Sequence, residues 1–136
     1  MSRRLAAVSL AALLAAAGAA WAQEASISVD DQEVDATKKV TIDKVTIPVD
    51  GWIVIHPSDA QGKFIEKDIG HAPVKAGTST KVTVTLTQDV KDGDKLHVML
   101  HEDTGAKGTY EFGKVPKADG PVLKDGKPVV EDFNAE

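Results

Sequence analysis

Short apolar runs broken by turn signals, recurring roughly every ten residues, constrain this chain more than any other feature. Asp50-Gly51, Pro57 to Gly62, Val90 to Asp94, Asp119-Gly120-Pro121 and Lys124-Asp125-Gly126-Lys127 are the interruptions. No segment beyond residue 22 keeps the 3.6-residue period of an amphipathic helix for more than a turn. The fold expected is all-β, an antiparallel β-sandwich of about 7–8 strands, immunoglobulin-like or cupredoxin-like.

The runs differ in kind. Val82, Val84 and Leu86 alternate with Lys81, Thr83 and Thr85, the pattern of a strand with one face buried. Trp52 to His56 is almost continuously apolar and suits a central strand covered on both faces. Lys39 to Pro48 changes phase between Ile42 and Val45, which predicts a one-residue β-bulge at Asp43-Lys44. Lys63 to Ile69 reads as a strand anchored by Phe64, and Gly70 to Pro73 as irregular chain. Asp94 to Phe112 reads as a hairpin. Its first arm puts Leu96, Val98 and Leu100 on one face and His97, Met99 and His101 on the other. Its tip carries Gly105 and Gly108, and Thr109 to Phe112 is its second arm. A further hairpin turns at Lys124 to Lys127, and Pro121 and Pro128 place it at a sheet edge.

The 136-residue chain divides into a secretory signal at 1–22, a short segment at 23–30 and a β-sandwich domain at 31–136. Ser2-Arg3-Arg4, the Ala- and Leu-rich run from Leu5 to Ala20, and Ala20-Trp21-Ala22 are the three parts of such a signal. The net charge is −5, and loss of Arg3 and Arg4 with the signal makes it more negative. An acidic chain without a basic stripe argues against nucleic acid, and against docking on anionic lipid. No cysteine is present, so neither a disulfide nor a lipoprotein anchor is available.

Catalytic signatures are missing. The chain has no Gly-x-Ser-x-Gly elbow, no cysteine nucleophile and no His-Glu-x-x-His helix, which predicts a non-enzyme. The acidic group Asp30, Asp31, Glu33 and Asp35 reads as a solvated loop. Trp52, Phe64, Tyr110, Phe112 and Phe133 are few and scattered along the sequence, as core or corner residues are. The sharpest chemical alternative is copper. Imidazole and thioether donors on one strand face, His97, Met99 and His101, suit that metal, with His56 or His71 completing the set. A blue-copper centre is excluded because it needs a cysteine thiolate.

Several motifs fall in one order: Asp31-Gln32, Gly51-Trp52-Ile53-Val54-Ile55-His56, Ala76-Gly77-Thr78, Glu102-Asp103-Thr104-Gly105 with Gly108-Thr109-Tyr110-Glu111-Phe112, Asp119-Gly120-Pro121-Val122 and Pro128-Val129-Val130. In this the chain resembles a family of uncharacterised β-rich domains common in exported and surface proteins of haloarchaea and also found in bacteria. The resemblance implies a secreted or cell-surface β-sandwich and no particular activity. At the tip of the presumed hairpin, Gly105 and Lys107 stand where the family often has Asn or Asp. Without those oxygens the loop is a poor calcium site. The expectation is therefore an exported, periplasmic or extracellular, non-enzymatic module with no cofactor, serving an unidentified envelope or extracellular protein partner. The alternative is a periplasmic copper-binding protein using His97, Met99, His101 and His56. The sequence leaves the oligomeric state open.

Overall fold

The computed structural model describes residues 24–136, and the expected signal at 1–22 lies outside the described residues. Among these the strands are β1 (Ser26–Ser28), β2 (Lys39–Ile47), β3 (Gly51–His56), β4 (Gly70–Val74), β5 (Gly77–Thr85), β6 (Lys95–Glu102), β7 (Leu123–Lys124), β8 (Lys127–Pro128) and β9 (Val130–Asn134). One sheet has the order β1-β2-β5, a second β4-β3-β6-β9, and β7 and β8 form a separate ribbon. All the named strand pairs are antiparallel. The all-β, antiparallel expectation holds.

The core lies between the two larger sheets. Val40, Ile42, Val45 and Ile47 from one meet Ile53, Ile55, Leu96, Val98, Leu100 and Phe133 from the other. Each such side chain contributes about 1.5–3 kcal/mol when fully buried. Ile27 of β1 joins this core, so Ser26–Ser28 supplies an edge strand of the first sheet. Near the other end of the chain Gln32 lies beside Ala135 in a parallel bridge. Gln32 N–H donates to the Asn134 carbonyl at 3.1 Å, and Glu136 N–H to the Gln32 carbonyl at 2.8 Å.

The phase change in β2 has a cause other than the predicted bulge. Val40 pairs with Val84 and Val45 with Ser79, so the register is unbroken and no residue is inserted. Pairing lapses only at Asp43, where the facing Lys81 adopts φ 53°. Both strands turn over together there, and an Asp43–Lys81 ion pair of 3.2 Å spans the outside of the kink.

Three other expectations are corrected. Residues Lys63 to Ile69 form no strand; Phe64 makes one isolated bridge to Ser58. Gly70 to Pro73 is not irregular but belongs to β4, whose edge position tolerates Pro73. The hairpin arm Thr109 to Phe112 is not a strand. Both edges of β6 are taken, by β3 and β9, and the arm crosses over the sheet instead. The ribbon expected at Lys124 to Lys127 is present, with Asp125 at φ 54° and Gly126 at φ 80°. Two successive left-handed residues are what a tight hairpin of this twist requires.

Candidate functional site

The second sheet has a core face and an outer face, and the outer face carries the histidines. Strand alternation sends Ile53, Ile55, Leu96, Val98 and Leu100 inward and leaves Trp52, Val54, His56, His97, Met99 and His101 on the other side. Register then sets neighbours. His56 pairs with His97, which pairs with Asp132; Trp52 pairs with His101; Met99 lies between Val54 and Val130; His71 of β4 lies beside Val54. This face is nevertheless buried, because two loops cover it.

Aromatic rings make the cover. Phe64, from the loop after β3, sits 4.7 Å from the His56 ring and 5.6 Å from the His97 ring, centre to centre. Phe112 lies 4.8 Å from His101 in an edge-on contact. Tyr110 packs on His71 at 4.5 Å, Trp52 at 5.5 Å and His101 at 5.9 Å. The aromatic residues scattered along the sequence therefore converge in space, except Phe133, which stays in the core.

Asp119 ties the covering loop down. It is fully buried, at φ 53°, and every polar group it owns is used. Its Oδ1 accepts from Thr104 N–H at 2.7 Å and its Oδ2 from Glu111 N–H at 2.6 Å. Its own N–H donates to Thr104 Oγ1 at 2.8 Å, and its carbonyl accepts from His101 Nδ1 at 2.7 Å. Nothing in the local sequence beyond the Asp-Gly-Pro turn signal marks this role.

The histidines divide by what their two nitrogens do. At His97, Nδ1 faces Asp132 Oδ1 at 2.7 Å and Nε2 faces Ser58 Oγ at 2.7 Å. Ser58 gives its hydrogen to the Lys95 carbonyl at 2.7 Å, so it meets the ring as an acceptor. Both His97 nitrogens are thus engaged by side chains of the protein, Asp132 on one side and Ser58 on the other. Sequence reading did not anticipate Ser58 or Asp132. His71 Nδ1 bonds Asp68 Oδ2 at 2.6 Å.

His56 and His101 are different. Each Nδ1 meets a backbone carbonyl, Lys67 O at 2.8 Å and Asp119 O at 2.7 Å. A carbonyl only accepts, so the hydrogen sits on Nδ1 and the lone pair on Nε2. Both Nε2 atoms are buried without a hydrogen-bond partner, as is the Trp52 indole N–H. Burial holds both rings below the ordinary histidine range, against the opposing pull of the Lys67 carbonyl and of Asp119 respectively. Burial likewise pushes the Tyr110 hydroxyl above the usual phenol range, helped by the charges of Asp68 and Asp119. Of the expected donors, then, the structure leaves His56 and His101 with free lone pairs, ring centres 6.2 Å apart. Among the described residues no three His, Cys, Asp or Glu side chains converge on one point.

These features define an all-β sandwich domain in which one sheet carries a loop-covered, histidine-bearing outer face. Residues 25–136 match the family described as Domain of unknown function (DUF7282), and the chain belongs to that family. It is similar to Cell surface glycoprotein 2 of Haloarcula hispanica, 32% identical over 114 residues, and to Cell surface glycoprotein 1 of the same organism, 29% identical over 114 residues. Each match covers 83% of this chain and 12% of the relative, so the chain corresponds to a small part of the curated relatives it matches. No solved structure matches the chain.

Proposed function

We propose that this chain is a non-enzymatic module of an exported, cell-surface or envelope protein, whose work is structural or adhesive. The observation that carries the reading is the similarity to two cell surface glycoproteins, in each of which the matching stretch is 12% of the length. A domain embedded in that way in a much longer surface protein acts as a building unit. The structure suits the role: both faces of the second sheet are packed, and the histidine side chains that could do chemistry mostly hold loops in place. An acidic exterior keeps such a unit from clinging to other acidic surfaces.

The test is a membrane-impermeant, amine-reactive cross-linker applied to intact cells, followed by mass spectrometry of the linked peptides. Lys44, Lys63, Lys124 and Lys127 are exposed and should link to envelope proteins. Labelling only after lysis would refute an exported location, and labelling without any linked neighbour would refute an envelope partner.

A further inference from the structure

We propose that His56 and His101 together form a two-coordinate site for a soft monovalent cation, Cu(I), beneath the aromatic cover of the second sheet. The inference goes beyond a surface-module role and does not depend on it. It also differs from a site built on His97 and Met99, because the His97 nitrogens are already engaged by Ser58 and Asp132.

Four observations carry it. First, both rings are almost fully enclosed, at 2% and 1% exposure, and the hydrogen-free Nε2 of each is buried without a hydrogen-bond partner. An unmet buried acceptor is costly, and here the two rings that carry them lie 6.2 Å apart, centre to centre. Second, each Nδ1–H is anchored on a main-chain carbonyl. That is the arrangement that fixes the tautomer and orientation of a metal-binding histidine.

Third, the spacing fits. Two imidazoles on one ion, with nitrogens ~2.0 Å from it and ring centres ~1.1 Å further back, have centres ~6.2 Å apart when the angle is straight and ~5 Å when it is tetrahedral. The observed separation is 6.2 Å. A straight two-nitrogen geometry is a preference of closed-shell Cu(I), whereas Zn(II) and Ca(II) ask for more ligands than converge here. Fourth, the surroundings suit a single positive charge. Asp68 and Glu66 are acidic groups whose fields reach both rings. Phe64 and Phe112 shield the two rings from water. A cleft of ≈ 290 Å³, bordered by Glu66, Asp68, Tyr110 and Phe112, with one cation, Lys114, against these two acids, leads to His56.

The competing occupant is a water molecule that donates to both Nε2 atoms. Purified protein titrated with Ag(I), a redox-inert stand-in, and with Cu(I) under anaerobic ascorbate decides between them. Long-range nitrogen–proton NMR reads each ring nitrogen in the wild-type protein, so the result does not hang on a variant folding. One ion per chain is expected, with both Nε2 signals of His56 and His101 shifted and those of His97 unmoved. His56→Gln and His101→Gln should each weaken binding by at least ~100-fold, and His97→Gln should leave it within ~3-fold. No stoichiometric ion, or shifts at His71 or His97 instead, would overturn the proposal. So would a slowly exchanging water seen at the two Nε2 atoms that Ag(I) does not displace.

Discussion

Thr104 and Asp119 bind each other in both directions: the Thr104 N–H donates to the Asp119 carboxylate at 2.7 Å, and the Asp119 N–H to the Thr104 hydroxyl at 2.8 Å. The pair closes the loop that covers the histidine face. Asp119→Ala strips the part-buried Thr104 and Glu111 N–H groups of their acceptor and should cost about 1–3 kcal/mol. Asp119→Asn keeps one acceptor oxygen and should cost about half as much. Urea denaturation measures both, with the midpoint falling and the slope unchanged.

Gly51 is confined by the strand next to it. A Cβ added there would collide with the His101 carbonyl and come within 2.6 Å of Ile47 Cδ1. Main chain in the middle of a sheet cannot move aside. Gly51→Ala should therefore destabilise by about 1–3 kcal/mol or more. Gly120→Ala meets nothing within 4 Å and should be near neutral in the same urea denaturation.

Stability should fall in acid. Burial lowers the folded-state pKa of His56 and His101, while in the unfolded chain each titrates near ~6.5. The stabilising contribution of the neutral rings is thus fully present above that pH. It is lost as pH drops below it, because the unfolded chain then binds the extra protons, and the loss stops once the folded rings protonate. Each ring contributes a slope of up to ~1.4 kcal/mol per pH unit within that window. Denaturant midpoints from pH 8 to pH 5 should show the decline, and His56→Gln should remove one ring's share of the slope.

His97 fastens β9 and the loop after β3 to β6 through Asp132 and Ser58. His97→Ala should loosen that corner more than the molecule as a whole. The readout is amide hydrogen exchange: Ile65 N–H, bonded to the Pro57 carbonyl, and Asp59 N–H, bonded to the Lys63 carbonyl, should exchange at least ~10-fold faster, while core amides such as those of β2 change less. Uniform acceleration everywhere would show that His97 supports the global fold instead.

Local pattern carried the strands whose neighbours are ordinary. Alternation in Val82 to Leu86, the unbroken run Trp52 to His56, and the two faces of Leu96 to His101 all survive in the structure, as does the turn at Asp125-Gly126. Where a segment's fate depends on what else occupies an edge, pattern misled. Thr109 to Phe112 has a strand's composition, but β3 and β9 already flank β6, and Tyr110 and Phe112 are consumed in covering the histidines. Gly70 and Pro73 look like breakers, yet an edge strand accommodates both. The histidine face was legible from parity alone. Which histidines keep a free nitrogen was not, since Ser58, Asp132, Lys67 and Asp119 reach them from distant parts of the chain.

The joint between Gln32 and Ala135 has a mechanical meaning. The two segments run in the same direction there, tied by main-chain bonds on both sides of Gln32 and by Asn134 N–H to Asp31 Oδ1 at 2.8 Å. A force drawing the Glu24 and Glu136 ends apart would therefore shear these bonds together, not peel them one by one as in an unzipping hairpin. Once β1 has been drawn off β2, tension would have to break this whole joint together before it could reach β2 or β9.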